Sequence, residues 1–461
     1  MTGMGVRSLL EASRNGSTSV EAVIETVFDR IDSQDTNAWI TTRDRAAVIE
    51  EARSLDDKTL PLYGVPFAVK DNIDYAGLPT TAGCPEYAYE PDEHATVVRR
   101  LIDAGAMLIG KTNMDQFATG LVGTRSPYGA CHNVYNNAYI SGGSSSGSAV
   151  ATVRGHVAFA LGTDTAGSGR VPAAFNGLVG YKPTRGVLST DGVVPACASL
   201  DCVSVFAQDC RDALQVSRVA AGFDPADPYS RREADTLDLD PNLDVDPEFS
   251  SLKDSTLGVP APPDQEFFGD EEAASLFDTT VETLAEIGTV THVDMEPFYE
   301  TAALLYGGPW IAERFAAVGE FIEENPDAVD PVVEEIICDR TSYSAVETFE
   351  AFQRLKSLTR RADGVMADID ALVVPTTGMT YTIESVRDAP VELNSNLGYY
   401  TNFVNLLDLS AVAVPTGQFD AGPTFGVTVI GDAFADATVT AIAAELRAAV
   451  TTDQPEPPSP Q

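Results

Sequence analysis

The 461 residues are 44% hydrophobic, enough to bury a sizeable core in one large domain or in two to three ordinary ones. There are 69 acidic residues against 29 basic ones, a formal charge of −40, and only six of the basic residues are lysine. Such a surface repels a phosphate backbone, which argues against a nucleic-acid platform, and it stays hydrated in concentrated salt, so molar KCl is the expected working solvent of a halophile's protein, the bland alternative being a merely acidic mesophile protein. No window reaches the roughly 18 uninterrupted apolar residues of a membrane helix. The N-terminus, Met1 to Ser8, lacks the basic-then-apolar pattern of a secretory signal. A cytoplasmic location is therefore expected, with no membrane contact. The six cysteines show no C-x-x-C spacing and the four histidines no HExxH pattern, so neither a metal nor a cofactor is expected and the thiols are read as free.

In chain order, residues 17–31 open with Ser and Thr and set Val20, Val23, Ile24, Val27 and Ile31 on one face, the pattern of a capped amphipathic helix. Val97, Val98, Leu101 and Ile102 repeat that period, Gly105 stops it, and Met107 to Gly110 reads as a short buried strand. Residues 147–154 are small and suit a helix, and Val157 to Leu161 is a second buried strand. Residues 223–263 are rich in Asp, Pro and Ser without apolar periodicity, and read as an exposed acidic linker or insertion. Apolar runs return at 372–375, 411–415 and 425–430, and the Pro-rich tail 451–461 reads as disordered. Apolar strands alternating with helices predict an α/β fold, a central mixed sheet covered on both faces, in a single domain over 1–450.

Three segments carry chemistry. Lys70 closes Val65-Pro-Phe-Ala-Val, and a lysine at the end of a buried strand loses hydration, which lowers its pKa and fits it to act as a base. The bland alternative is a solvated surface lysine. Gly142-Gly-Ser144-Ser-Ser-Gly-Ser148 has the spacing of a phosphate loop, but Ser148 stands where that loop needs lysine. It also satisfies G-x-S-x-G, yet no apolar strand precedes it, which argues against a nucleophile elbow. In Asp164-Thr-Ala-Gly-Ser168-Gly-Arg170, glycines flank a serine after a buried strand, a turn able to aim several N–H groups at one point, or else an ordinary capped strand end.

Taken together, G-V-P-x-x-x-K-D-N, G-G-S-S-x-G-S and G-x-D-x-x-G-S-x-R-x-P in this order resemble the amidase signature family over roughly residues 15–450. The resemblance implies a Ser–cisSer–Lys triad, with Ser168 as nucleophile, Ser144 as the bridging serine and Lys70 as base. It places the oxyanion on the backbone amides of Thr165, Ala166 and Gly167. Within the family, the stretches 120–129, 164–176, 194–204 and 306–314 look most like the allophanate hydrolase branch. That likeness implies cleavage of allophanate to ammonia and carbon dioxide, with Gly120, Tyr306 and Arg314 binding substrate and a homodimer as the assembly. Taken without it, Arg314 reads as a helix-surface ion pair with a nearby glutamate. Members of the branch often carry a further C-terminal domain that this sequence does not contain, and the resemblance puts amide cleavage in the part present here. A general amidase and the amidase component of a glutamyl-tRNA amidotransferase remain alternatives. The latter usually shows D-T-G-G-S where this chain has Asp164-Thr-Ala-Gly-Ser168.

Overall fold

The computed structural model describes residues 5–34, 36–237, 239, 252–338 and 343–450. Among the described residues, eleven short strands pair into one sheet. They are β1 (Trp39–Thr42), β2 (Pro66–Lys70), β3 (Met107–Thr112), β4 (Phe159–Thr163), β5 (Val179–Lys182), β6 (Val203–Ala207), β7 (Thr256–Pro260), β8 (Thr289–Val293), β9 (Ala371–Pro375), β10 (Ser410–Gln418) and β11 (Thr424–Gly431). Their spatial order is β1-β3-β2-β4-β6-β5-β10-β11-β9-β7-β8. β2 runs parallel to both β3 and β4, and β7 parallel to both β8 and β9, while every other pair is antiparallel. The sheet is mixed, as the alternation of strands and helices predicts.

Every residue of β2, β4, β6, β9 and β11 is buried, so these runs read as continuously apolar rather than alternating, the mark of strands covered on both faces. Phe67 stacks on Phe159 across β2 and β4 with ring centroids 5.3 Å apart. Burying each such ring contributes on the order of 1.5–3 kcal/mol. The helix Val20–Ser33 is capped by Ser19, whose side chain accepts the Ala22 N–H, and it lays Val20, Val23, Ile24 and Val27 on the core. The helix Thr96–Asp103 ends before Gly105, whose φ of +90° is open to glycine at little steric cost, and β3 follows.

The segment 223–263 departs from its reading as a surface linker. Thr256–Pro260 is a largely buried strand between β8 and β9, and Asp224 and Asp227 turn inward to hold Ser189 and Thr190. Leu257 and Val259 supply apolar surface to a place made by later strands, which the acidic neighbourhood hides. Most of 238–251 and the tail 451–461 lie outside the described residues. Because β2 and β4 are parallel neighbours in register at Val69 and Leu161, their carboxyl ends bring Lys70 and Thr163 side by side. Open α/β sheets place their sites at that edge.

Candidate active site

Lys70 is the last residue of β2 and is fully buried. Its Nζ donates to Ser144 Oγ at 2.8 Å and to Thr163 Oγ1 at 2.7 Å. Burial lowers its pKa from 10.5 to about 7, although the charges of Asp115, Asp201 and Asp164 oppose the shift. Ser144 Oγ lies 3.0 Å from Ser168 Oγ, which completes an unbroken line of amine, hydroxyl and hydroxyl. Each hydroxyl both donates and accepts, so the direction of the line can reverse with the charge on Lys70. The Gly143–Ser144 peptide is cis. A Cβ on Gly143 would stand 2.1 Å from Asp115 Oδ2, so only glycine fits before Ser144. The helix Ser146–Val153 begins just beyond.

The turn that carries Ser168 is held from inside by Asp164. Its carboxylate accepts the N–H groups of Gly167 (2.8 Å) and Gly169 (3.1 Å) and a bidentate pair from Arg170, Nε and Nη2 each at 2.9 Å. Burial works against the charge of Asp164, yet the Arg170 guanidinium keeps the carboxyl below its usual range. The Gly167 amide is thereby turned to Asp164 and away from the role the resemblance implies. The N–H groups of Thr165 and Ala166 meet no acceptor among the described residues, and neither does that of Ser168. Asn405 Nδ2 braces the same turn by donating to the carbonyls of Asp164 (2.6 Å), Thr165 (3.1 Å) and Leu200 (2.9 Å). Asp201 accepts the Thr165 hydroxyl and the Ala196 N–H, the latter at 2.8 Å.

Gly120 comes from one stretch, and Tyr306 and Arg314 from a second, distant one. Asp115 donates its own N–H to the Ser144 carbonyl at 3.1 Å, and its carboxylate accepts the N–H groups of Val122, Gly123 and Arg125. That pins the loop after Gly120, whose φ is +152°. Arg314 reaches the same loop, with Nη1 donating to Thr119 Oγ1 at 3.3 Å and its guanidinium 5.5 Å from the Tyr306 ring centre. Arg314 is only 2% exposed and forms no ion pair among the described residues. The helix-surface reading of this arginine therefore fails. Burial disfavours its charged form, but the acidic groups around it, the Asp201 and Glu313 carboxylates among them, hold the guanidinium above its ordinary value.

Thr163, Asp115, Asp201 and Asn405 escape the sequence reading as site residues. The one signal is position, since Thr163 and Asp201 stand within or beside the motif stretches. No disulfide joins the six cysteines. Among the described residues no group of three His, Cys, Asp or Glu is placed to hold a metal ion, and no helix is long and apolar enough to cross a membrane.

A buried amine aligned with two hydroxyls at the edge of a mixed α/β sheet defines a site able to activate a serine for attack on an acyl carbon. The chain belongs to the amidase family, described as Amidase, which matches residues 22–440. Among its relatives, urea amidolyase of Saccharomyces cerevisiae is 45% identical over 435 residues, covering 91% of this chain and 23% of that protein. The chain thus spans under a quarter of the length of that relative. A glutamyl-tRNA(Gln) amidotransferase component from Symbiobacterium thermophilum is 34% identical, covering 93% of each chain. A solved structure of Kluyveromyces lactis allophanate hydrolase superposes with a TM-score of 0.88 at 41% identity, covering 97% of this chain and 73% of that one.

Proposed function

We propose that this chain hydrolyses allophanate, the carboxylate of urea, to ammonia and carbon dioxide through an acyl-serine intermediate, with Ser168, Ser144 and Lys70 as the triad. The observation that carries this reading is the line from Lys70 Nζ to Ser144 Oγ to Ser168 Oγ, fully buried at Lys70 and Ser144 and slightly open at Ser168. A lysine with a pKa of about 7 is substantially neutral at working pH. Neutral Lys70 takes the Ser144 proton as Ser144 takes that of Ser168, and Ser168 Oγ bonds to the amide carbon of the substrate. The negative oxygen of the tetrahedral adduct falls to the N–H groups of Thr165 and Ala166, with the Ser168 amide available beside them. The C–N bond breaks as the relay returns a proton to the departing ammonia. Water, deprotonated by the same relay, then breaks the acyl–oxygen bond, and the nitrogen left with two carboxylates sheds carbon dioxide.

The substrate assignment rests on Arg314. A buried guanidinium without a carboxylate partner among the described residues suits a ligand carboxylate, which it can meet with two parallel N–H groups. Tyr306 covers the guanidinium and the loop at Gly120 offers backbone to the amide edge. The relatives named for urea amidolyase and allophanate hydrolase support the same substrate. The rest of the reading is a single cytoplasmic domain over 1–450, working in molar salt as a homodimer, with no cofactor.

The test is ammonia release by the purified protein in about 2–3 M KCl, a range set by the acidic surface, with allophanate, glutamine and propionamide side by side. Turnover of allophanate alone is expected. Preference for propionamide would make this a general amidase, and glutaminase activity only with added partners would make it part of an amidotransferase.

A further inference from the structure

Trp310, Glu313 and Arg314 share one face of the helix Trp310–Glu324, at i, i+3 and i+4. Trp310 is packed into an apolar cluster with Ala166, Cys197, Leu200 and Leu406, directly against the turn that carries Ser168. Glu313 supplies the polar half of the same attachment. Its Oε1 accepts the Ser199 N–H at 2.7 Å, and its Oε2 accepts the Ser199 hydroxyl at 2.7 Å and the Cys197 thiol at 2.9 Å. Two residues further along that loop, Asp201 accepts the Thr165 hydroxyl. Hydrogen bonds therefore tie the helix that carries Arg314 to this loop, and the loop in turn to the turn that carries Ser168.

Adjacent positions on a helix do not face each other, and Glu313 and Arg314 diverge accordingly. Glu313 is turned to the loop at 197–199, and Arg314 is left with a single hydroxyl contact and no carboxylate among the described residues. We propose that Glu313 is a positioning residue for specificity: by clasping Ser199 and Cys197 it fixes the separation between the Arg314 guanidinium and Ser168 Oγ, and so selects acyl groups that bear a carboxylate at that separation. This rests on the reading that Arg314 holds the substrate carboxylate. The opposite role, a counter-charge that weakens Arg314, predicts a lowered KM when Glu313 is removed.

The experiment compares Glu313→Ala, Glu313→Gln, Arg314→Ala and the double variant Glu313→Ala/Arg314→Ala. It reads kcat and KM for allophanate in molar KCl, and the rate at which an uncharged fluorophosphonate labels Ser168. Glu313→Ala is expected to raise KM about tenfold or more with a far smaller change in kcat, because ground-state and transition-state binding of the carboxylate are lost alike. Glu313→Gln, whose amide oxygen still accepts from Ser199, should recover part of that loss. The labelling rate should fall much less than kcat/KM for allophanate. In the Arg314→Ala background, Glu313→Ala should add less than about twofold, since the two residues act through one contact. Equal losses in labelling and in allophanate turnover, full additivity in the double variant, or a lowered KM would each overturn the proposal. An unchanged KM in Arg314→Ala alone would defeat the carboxylate reading before any Glu313 variant is considered, and the clasp would fall with it.

Discussion

Lys70 offers a measurement in which catalysis and stability must agree. Its pKa falls from 10.5 in open solvent to about 7 in the folded protein because burial removes water from the ammonium. A shift of that size corresponds to on the order of 5 kcal/mol, at about 1.36 kcal/mol per unit. Below pH 7 both folded and unfolded chains carry the proton, and the full cost of a buried ammonium weighs on the folded state. Between pH 7 and 10.5 the unfolded chain binds the proton and the folded one does not, so stability rises with pH. Lys70→Met removes the group at similar volume. The difference in unfolding free energy between wild type and Lys70→Met should change by about 1.4 kcal/mol per pH unit above pH 7, in favour of wild type, while all other titrating groups cancel. Catalysis should mirror it. The wild-type kcat/KM for allophanate should fall about tenfold per unit below an inflection near pH 7, and Lys70→Met should lose about 10³-fold or more and the inflection with it. Denaturant unfolding at several pH values, beside the pH–rate profile, reads both. A stability difference that stays flat across the alkaline range, or an acid limb that survives in Lys70→Met, would refute the assignment.

The Asp164–Arg170 pair makes a separate prediction. Arg170→Met leaves a fully buried carboxylate without its cation and should cost about 3–5 kcal/mol of unfolding free energy; a loss under about 1 kcal/mol would show that the turn does not depend on the pair. Salt makes another. With a formal charge of −40, unfolding followed by circular dichroism should need far less denaturant at about 0.1 M KCl than at about 2–3 M, because self-repulsion is screened only at high ionic strength. Indifference to KCl would remove the halophilic reading of the composition.

The three triad candidates are legible because their signal is local. An amine inside an apolar run and serines between glycines stand out whatever the rest of the chain does, and the structure puts Lys70, Ser144 and Ser168 in one line. Residues whose meaning depends on what arrives from elsewhere are less readable. Thr256–Pro260 looks like linker because its neighbours are acidic, and its burial comes from pairing with β8 and β9. The Gly167 amide is an available donor on paper, but Asp164 takes it once Arg170 has fixed that carboxylate. Glu313 stands in a stretch the resemblance singles out, but only folding shows that it turns to Ser199.

Asn405 joins residues separated by 241, 240 and 205 positions with a single amide nitrogen. Lys70, Ser144 and Ser168 all leave the ribosome long before it. A nascent chain that already contains the whole relay still lacks the brace on its Ser168 turn, and β5 has no β10 beside it. The Ser168 turn gains its last supports only when Asn405 and β10 have been made, so the site is completed by the final quarter or so of the chain and not by the segments that carry its triad.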